Sequence, residues 1–426
     1  MKKLVIVALA VLLATPVLSH AGAVTSKWDI NIAGFVAAFG QFSDQNDGFW
    51  GPGTSSARRT GVHENKSNEY GNFAEQVDPR IGFFIKGPDV WGAKTSARLE
   101  FDFAGAYSGT NGTARMRHIY MKFDWANDSV LFGNAGSPYR STGVGMGPGT
   151  GTTVALPGAF GGPRETQLTW THRFGKNFST IFALVHPGLE GYKSTASNNN
   201  YTQGNYPNVE GVVKYTSDAC GKIGSSNLVV ALAGIYGRQK IDRGASTTAA
   251  GRTVYSQRQE DGWYGQASFQ IPIIPERKMN KAGAVLLWLN ASAGQGLSLY
   301  NGVLSLAAYD RSAYGVEHDY SKPRGVAYEA GLGVWFSNQV WLSAQYNSQD
   351  RHVSNYYVAR VGTDSVWTRN QLYNLAIFYE PSPAVRLIAE YSRLHTNYAR
   401  TDLVTTEYYK KYGTTNAIRF GAYYYF

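Results

Sequence analysis

The sequence has 426 residues with a formal net charge of +10, and it contains 48 glycines, 29 tyrosines and one cysteine, Cys220. A single cysteine excludes an internal disulfide, and basic residues spread along the whole chain are unlike the clustered basic face of a nucleic-acid-binding protein, so we expect no nucleic-acid partner. Abundant glycine and tyrosine with low overall hydropathy favour a β-protein with many turns and a wet interior.

The first 23 residues have the pattern of a secretory signal peptide. Two lysines precede an apolar run over residues 4–18, and Ala21-Gly22-Ala23 supplies small residues for cleavage. An uncleaved anchor helix is the alternative, but Pro16 interrupts a run that is already short of the roughly 20 residues of a bilayer span. Removing residues 1–23 takes away two lysines and lowers the formal charge from +10 to +8.

The mature chain, residues 24–426, contains no run of a dozen apolar residues after Val24. A chain of this kind enters a membrane only as a closed β-barrel, in which every backbone polar group is paired. The alternative is a soluble β-sandwich. The strand patterns below favour the barrel.

Along the chain, Trp28–Phe42 is predicted as the first strand, and residues 80–87 and 94–103 as a hairpin. The second hairpin strand alternates charged with apolar side chains, which is typical of a strand between water and lipid. We therefore predict that one face of this hairpin lines an aqueous lumen. Its charged members are Arg80, Lys94, Arg98, Glu100 and Asp102.

The next predicted strand, residues 113–126, breaks the alternation. Arg115 and Arg117 have one parity, whereas Lys122 and Asp124 have the other. Both pairs face the lumen only if a β-bulge near His118 shifts the phase. Otherwise part of the outer face of this strand lies away from lipid.

Gly136–Arg164 is a long glycine-rich stretch without Asp or Glu, whose charges are Arg140 and Arg164. Loops of this length without secondary structure are uncommon in compact domains and are usually functional. We predict that residues 136–164 fold into the lumen as a constriction loop. A disordered linker is the alternative.

The remaining segments alternate tight turns with long polar connections, as in outer-membrane barrels. The last one, Asn416–Phe426, places five apolar residues on one face and Arg419 on the other. The sequence thus predicts an all-β, antiparallel up-and-down transmembrane barrel of about sixteen strands. The further predicted strands are 129–135, 165–174, 178–187, 208–217, 228–239, 259–272, 283–298, 325–337, 339–350, 366–380, 384–395 and 414–426.

Several motifs resemble the general porins of Gram-negative outer membranes, which are trimers of sixteen-stranded barrels. The chain departs from the family pattern at Asn134, where arginine is frequent, and by two extra residues in the first motif. A terminal Phe426 also matches the family. The motifs are PRIGFFIKG at Pro79–Gly87, SARLEFDF at Ser96–Phe103, RHIYMKF at Arg117–Phe123, VLFGN at Val130–Asn134 and RETQLTW at Arg164–Trp170.

The resemblance implies an arginine ladder facing the constriction loop, and Arg80 and Arg117 match that ladder. Arg98 joins them across the hairpin, and Glu100 matches a family glutamate. Many members carry carboxylates on the loop, whereas both loop charges here are positive. We expect Glu100 and Asp102 to pair with Arg98 or Arg80, so solute contact and wall pairing remain open for these two arginines.

The resemblance further implies a homotrimer in the bacterial outer membrane, in contact with its lipid and lipopolysaccharide. Its function would be passive diffusion of small hydrophilic solutes, and the arginines favour anions. The alternatives are a porin selective for dicarboxylates, phosphate or sugars, and a non-conducting structural or enzymatic barrel. No HExxH, CxxC, GxSxG or phosphate-loop lysine motif occurs, so we expect no catalytic site, metal or cofactor.

Overall fold

The computed structural model describes most of the chain. Its described residues are 28–44, 72–103, 107–108, 111–112, 114–139, 164–186, 202–203, 206–247, 253–295, 324–352, 367–398 and 412–426. The predicted signal peptide and residues 140–163 of the predicted constriction loop lie outside these ranges. Within them, no helix is long and apolar enough to cross a membrane.

Sixteen antiparallel strands form one closed barrel, as predicted. Each strand pairs with the next along the chain, and the last pairs with the first. The strands are β1 Asp29–Ser43, β2 Asn72–Lys86, β3 Lys94–Asp102, β4 Arg115–Asp124, β5 Asp128–Gly136, β6 Arg164–Phe174, β7 Phe178–Val185, β8 Asn208–Ser217, β9 Leu228–Thr247, β10 Thr253–Ile274, β11 Val285–Gln295, β12 Arg324–Trp335, β13 Val340–His352, β14 Trp367–Ser382, β15 Val385–Tyr398 and β16 Tyr412–Tyr425.

Two further short pairings lie outside this ring. Tyr107–Ser108 pairs with Asn111–Gly112 in the connection from β3 to β4, and Thr202–Gln203 pairs with β9. The predicted strands 228–239 and 259–272 leave residues 240–258 as a long loop, and this expectation was wrong, because β9 continues to Thr247 and β10 begins at Thr253.

Side chains alternate between the two sides of the wall. On β16, Ile418, Phe420 and Tyr424 are exposed on the outer side, while Arg419 is buried on the inner side. On β3, Glu100 and Asp102 are buried on the inner side and pair with cations of the neighbouring strand. The barrel therefore presents an apolar outside and a polar inside along these strands.

A β-bulge resolves the phase problem in β4. Glu100 pairs with His118, but the next residue, Phe101, pairs with Met116, so Arg117 is the extra residue. Arg117 and His118 both approach Glu100, at 2.8 and 3.9 Å. The bulge lets β4 point charged groups inward on both sides of it.

Short turns connect strands at one rim of the barrel, and mostly longer connections lie at the other. The turn from β6 to β7, residues 175–177, depends on Gly175, whose φ of 68° suits glycine. Trp28 and Phe426, at the two ends of the described chain, lie at the short-turn rim, where Gly34 and Phe426 exchange backbone hydrogen bonds of 2.9 and 3.1 Å. This exchange completes the seam between β1 and β16.

An apolar collar of inward-facing side chains lies near the short-turn rim of β11–β15. Trp341 stacks on Phe378 with ring centroids 3.8 Å apart, and on Trp335 at 5.5 Å. Trp288 lies over Gly331, where a Cβ would overlap the indole ring. The collar packs this part of the inner wall and leaves the polar side chains to the middle of the barrel.

Candidate functional site

A concentration of charged side chains lies on the inner side of β2, β3 and β4. It contains two more basic than acidic residues. We call it the arginine cluster, and its members are Arg80, Arg98, Glu100, Asp102, Arg115 and Arg117.

Two carboxylates hold the cluster together. Glu100 contacts Arg98, Arg117 at 2.8 Å and Arg80 at 3.8 Å. Arg98 lies close to Glu100 because the two residues are two positions apart on one face of β3. The predicted pairing of Glu100 with Arg98 and Arg80 is confirmed.

Asp102 binds two arginines of β4, the bulge residue Arg117 and Arg115 two positions before it. Arg115 Nη2 lies 2.6 Å from Asp102 Oδ2, and Arg117 Nη1 also bonds this oxygen. The expected pairing of Asp102 with Arg98 or Arg80 stays a prediction. The bulge at Arg117 brings the β4 arginines to this carboxylate.

Exposure divides the arginines into two groups. The Arg117 side chain is only 10% exposed, whereas Arg80 and Arg98 are 29% and Arg115 is 43% exposed. Arg117 is therefore a buried tie between the two carboxylates, each of them at most 5% exposed. The other three arginines present the excess positive charge of the cluster to the bore.

Aromatic rings support two of the exposed arginines. The guanidinium of Arg80 lies 4.6 Å from the ring centroid of Phe35, and that of Arg98 lies 4.8 Å from the ring of Phe84. Cation–π contacts of this kind hold a guanidinium flat against the wall without neutralising it. Both arginines therefore combine a fixed position with a retained charge.

Two other predicted pore residues lie away from the cluster. Arg419 is 2% exposed, bonds Gln41 and lies 3.9 Å from Glu390. These contacts give it a role in tying β16 to its neighbours. Lys94 is exposed at the first position of β3, at the short-turn rim.

The two predicted loop arginines have different positions. Arg140 lies outside the described residues. Arg164 is the first residue of β6, in register with Gly136. Its location in the lumen stays a prediction.

The chain turns inward directly after β5. Ser137 and Tyr139 are buried, and Ser137 Oγ donates a hydrogen bond of 2.6 Å to Glu210 Oε2 on β8. Tyr139 packs against Tyr264 of β10, with ring centroids 5.3 Å apart, and against Ile235 of β9. The start of the predicted constriction loop thus contacts the inner side of strands that are not neighbours of β5.

Sequence reasoning placed Arg115, Lys122 and Asp124 in the lumen under the bulge alternative, and the register shift between β3 and β4 confirms this alternative. It missed Arg173, which joins an inward trio near the short-turn rim, in which Lys122 and Arg173 lie 2.8 and 3.5 Å from Asp124. Among the described residues, no three His, Cys, Asp or Glu side chains are grouped so that they could hold a metal ion.

No protein-family model and no curated protein matches the chain. Solved structures do match. The outer membrane channel DcaP of Acinetobacter baumannii has 17% identity and a TM-score of 0.66, over 94% of this chain and 97% of that one. OmpT of Vibrio cholerae in its trimer form has 12% identity and a TM-score of 0.51, over 94% and 99%.

An anion-selective porin from Comamonas acidovorans is also similar, with 12% identity and a TM-score of 0.51 over 94% of this chain and all of that one, 100%. At these identities the likeness shows the fold alone. The chain has the barrel fold of outer-membrane channels along nearly its whole length.

Proposed function

We propose that this protein is an outer-membrane porin, a water-filled channel for passive diffusion of small hydrophilic solutes, with a preference for anions. The observation that carries the proposal is the arginine cluster on the inner wall of a closed sixteen-stranded barrel. Barrels of this size leave an aqueous passage. The solved outer-membrane channels of the same fold, one of them an anion-selective porin, support it.

The anion preference follows from the surplus of positive charge. A narrow aqueous passage with low-dielectric walls focuses the field of its lining charges and raises the local concentration of counter-ions. Arg80, Arg98 and Arg115 keep part of their guanidinium surface exposed while two carboxylates balance only part of the cluster. Arginine groups of this kind are a usual selectivity device of anion pores.

The constriction would come from residues 140–163. Ser137 and Tyr139 support this assignment, because they direct the chain towards the inner side of β8–β10 just before the segment begins. Arg140 and Arg164 would then add positive charge near the narrowest point. The segment contains no acid that would offset them.

A homotrimer in the outer membrane completes the proposal, with export directed by residues 1–23. Tyrosine and tryptophan mark the two membrane interfaces of outer-membrane barrels. The described outward side chains of β6–β16 include Trp170, Tyr236, Trp263, Tyr328 and Tyr379, and Trp28 and Trp91 are exposed at the short-turn rim beside β1–β3. We assign these aromatic side chains to the membrane interfaces, in contact with lipid and lipopolysaccharide.

Planar-bilayer recording tests the function. The purified protein should give stable current steps, and in a potassium chloride gradient the reversal potential should have the sign of chloride preference. A cation-preferring reversal potential would overturn the anion assignment, and a folded protein that never conducts would overturn the channel itself. Sedimentation in detergent tests the trimer separately, because a monomer would leave the channel proposal intact.

A further inference from the structure

The inner wall opposite the arginine cluster carries several side-chain amides beside the buried charged residues Glu329 and Arg351. β11 lies eight strands from β3 in either direction around the ring, and β13 and β14 are on the same half. We call five buried, inward-facing amides of these strands the amide wall. They are Asn290, Gln345, Asn347, Gln349 and Asn374, each at most 5% exposed.

Every member of the amide wall has a buried polar atom without a hydrogen-bond partner. Asn290, Gln345 and Asn374 use their NH₂ groups on neighbouring side chains, at 3.4, 3.1 and 3.0 Å, and their carbonyl oxygens remain unpaired. In Asn347 both amide atoms are unpaired, and in Gln349 the nitrogen is. The wall therefore offers mainly acceptors.

These amides form one connected patch. Gln345 and Asn374 are register partners on β13 and β14, and Asn347 is two residues from Gln345 on the same side of β13. Asn290 and Asn347 flank Glu329 in the pairing of β11, β12 and β13. A buried polar atom without a partner costs about 1–3 kcal/mol, so six of them in one patch are a feature that packing alone does not explain.

Unpaired carbonyl oxygens require hydrogen-bond donors. A simple carboxylate brings none, and a hydrogen phosphate dianion brings a single O–H. A hydroxylated organic anion brings both features that the two walls ask for: a negative charge for the arginine cluster and O–H donors for the amides. It does not have to span the bore, because the charge acts across the passage while hydrogen bonds act at contact.

We propose that the amide wall is a contact site for hydroxylated carboxylates, which makes the channel selective among anions. The proposal rests on the anion-conducting function above and deepens it. The arginine cluster admits a solute by its charge, and the amide wall retains it by its hydroxyl groups. An anion without hydroxyls passes without being held.

Current block in planar bilayers tests the proposal with three solutes of similar size. Gluconate carries charge and hydroxyls, hexanoate carries the charge alone, and glucose carries the hydroxyls alone. Gluconate should lower the chloride current at a concentration about fivefold below that needed for either of the others, since one hydrogen bond contributes about 1 kcal/mol. Equal block by gluconate and hexanoate would overturn the proposal.

The double substitution Asn347→Leu with Gln345→Met keeps the side-chain volumes and removes the amides. It should raise the half-blocking concentration of gluconate about fivefold and leave that of hexanoate unchanged. Ser179→Ala, on the inner side of β7, is the matched control and should change neither. If the amides only shape the wall, gluconate will block the variant and the parent protein at the same concentration, and this result would contradict the proposal.

The same recordings separate the two levels of inference. An anion-selective reversal potential without a gluconate preference leaves the porin function standing and rejects the amide site. A parent protein that shows no anion preference would reject the function on which the site depends. Folding of the variant is checked by its electrophoretic mobility before and after heating, and replacing unpaired buried amides by apolar groups of the same shape should not lower its stability.

Discussion

Ser137 Oγ donates a 2.6 Å hydrogen bond to Glu210 Oε2 and so joins the end of β5 to β8, although two other strands separate them in the wall. The bond crosses the inside of the barrel. It fixes the direction in which the chain leaves β5, and Tyr139 continues in the same direction to reach Tyr264.

Weakening this anchorage should widen the channel. In a Ser137→Ala, Tyr139→Ala double variant the segment after Tyr139 loses both its hydrogen bond and its ring contact. We expect a larger and noisier single-channel conductance than in the parent protein. Tyr139→Phe keeps the ring and serves as the control, and identical conductance in all three proteins would argue against a constriction anchored here.

The exposed arginines of the cluster should set ion selectivity. Arg80→Gln with Arg98→Gln removes two positive charges while Arg117 still holds Glu100. The reversal potential in a salt gradient should move towards the potassium potential, because the surplus of positive charge on this wall is then gone. Arg393→Gln, at an exposed position on the outer side of β15, is the control. It also removes one positive charge, but it should leave the reversal potential unchanged.

Arg117 should matter more for stability than for selectivity. Its removal leaves two buried carboxylates with less compensation, and breaking a buried ion pair in this way costs about 3–5 kcal/mol. The temperature at which the folded electrophoretic form disappears should fall clearly in Arg117→Met. Arg115→Met, which removes a more exposed arginine from the same carboxylate, should have a smaller effect. Equal losses would show that burial does not set the difference.

Gly331 should tolerate no side chain. A Cβ there would overlap the Trp288 ring, whose Nε1 donates a hydrogen bond of 2.9 Å to Glu329. Gly331→Ala should force the indole from its place and cost about 1–3 kcal/mol, measured as a lower unfolding temperature. Gly265→Ala on β10 meets nothing within 4 Å and is the control. An unchanged Gly331→Ala protein would mean that the ring moves without cost.

The sequence predicted the barrel well where one face of a strand had to be apolar. The β3 alternation is strong because its outer side is hydrophobic and its inner side is charged. In residues 240–258 this signal is absent, since a hairpin that continues beyond the apolar band needs neither face to be hydrophobic. The backbones of β9 and β10 stay paired through most of this stretch, and such pairing leaves no mark in a hydropathy pattern.

Most members of the arginine cluster were predicted from the sequence, but fewer of the contacts between them were. Alternation and hairpin geometry placed Arg80, Arg98 and Glu100 on one face, as found. The bulge at Arg117 brings the arginines of β4 to Asp102. A one-residue shift of this kind depends on pairing between strands, which the sequence of one strand does not show. The inward course of Ser137 and Tyr139 agrees with the predicted inward fold of residues 136–164, but their contacts had no sequence signal, because these depend on residues of β8–β10.

The seam between β1 and β16 has a consequence for biogenesis. Its two partners come from opposite ends of the sequence, so the ring cannot be assembled piecemeal from the amino terminus. Until β16 arrives, the edge of β1 offers unpaired amides and carbonyls to any passing strand. Pairing of β16 with β1 therefore closes the barrel and removes an open strand edge that would favour aggregation.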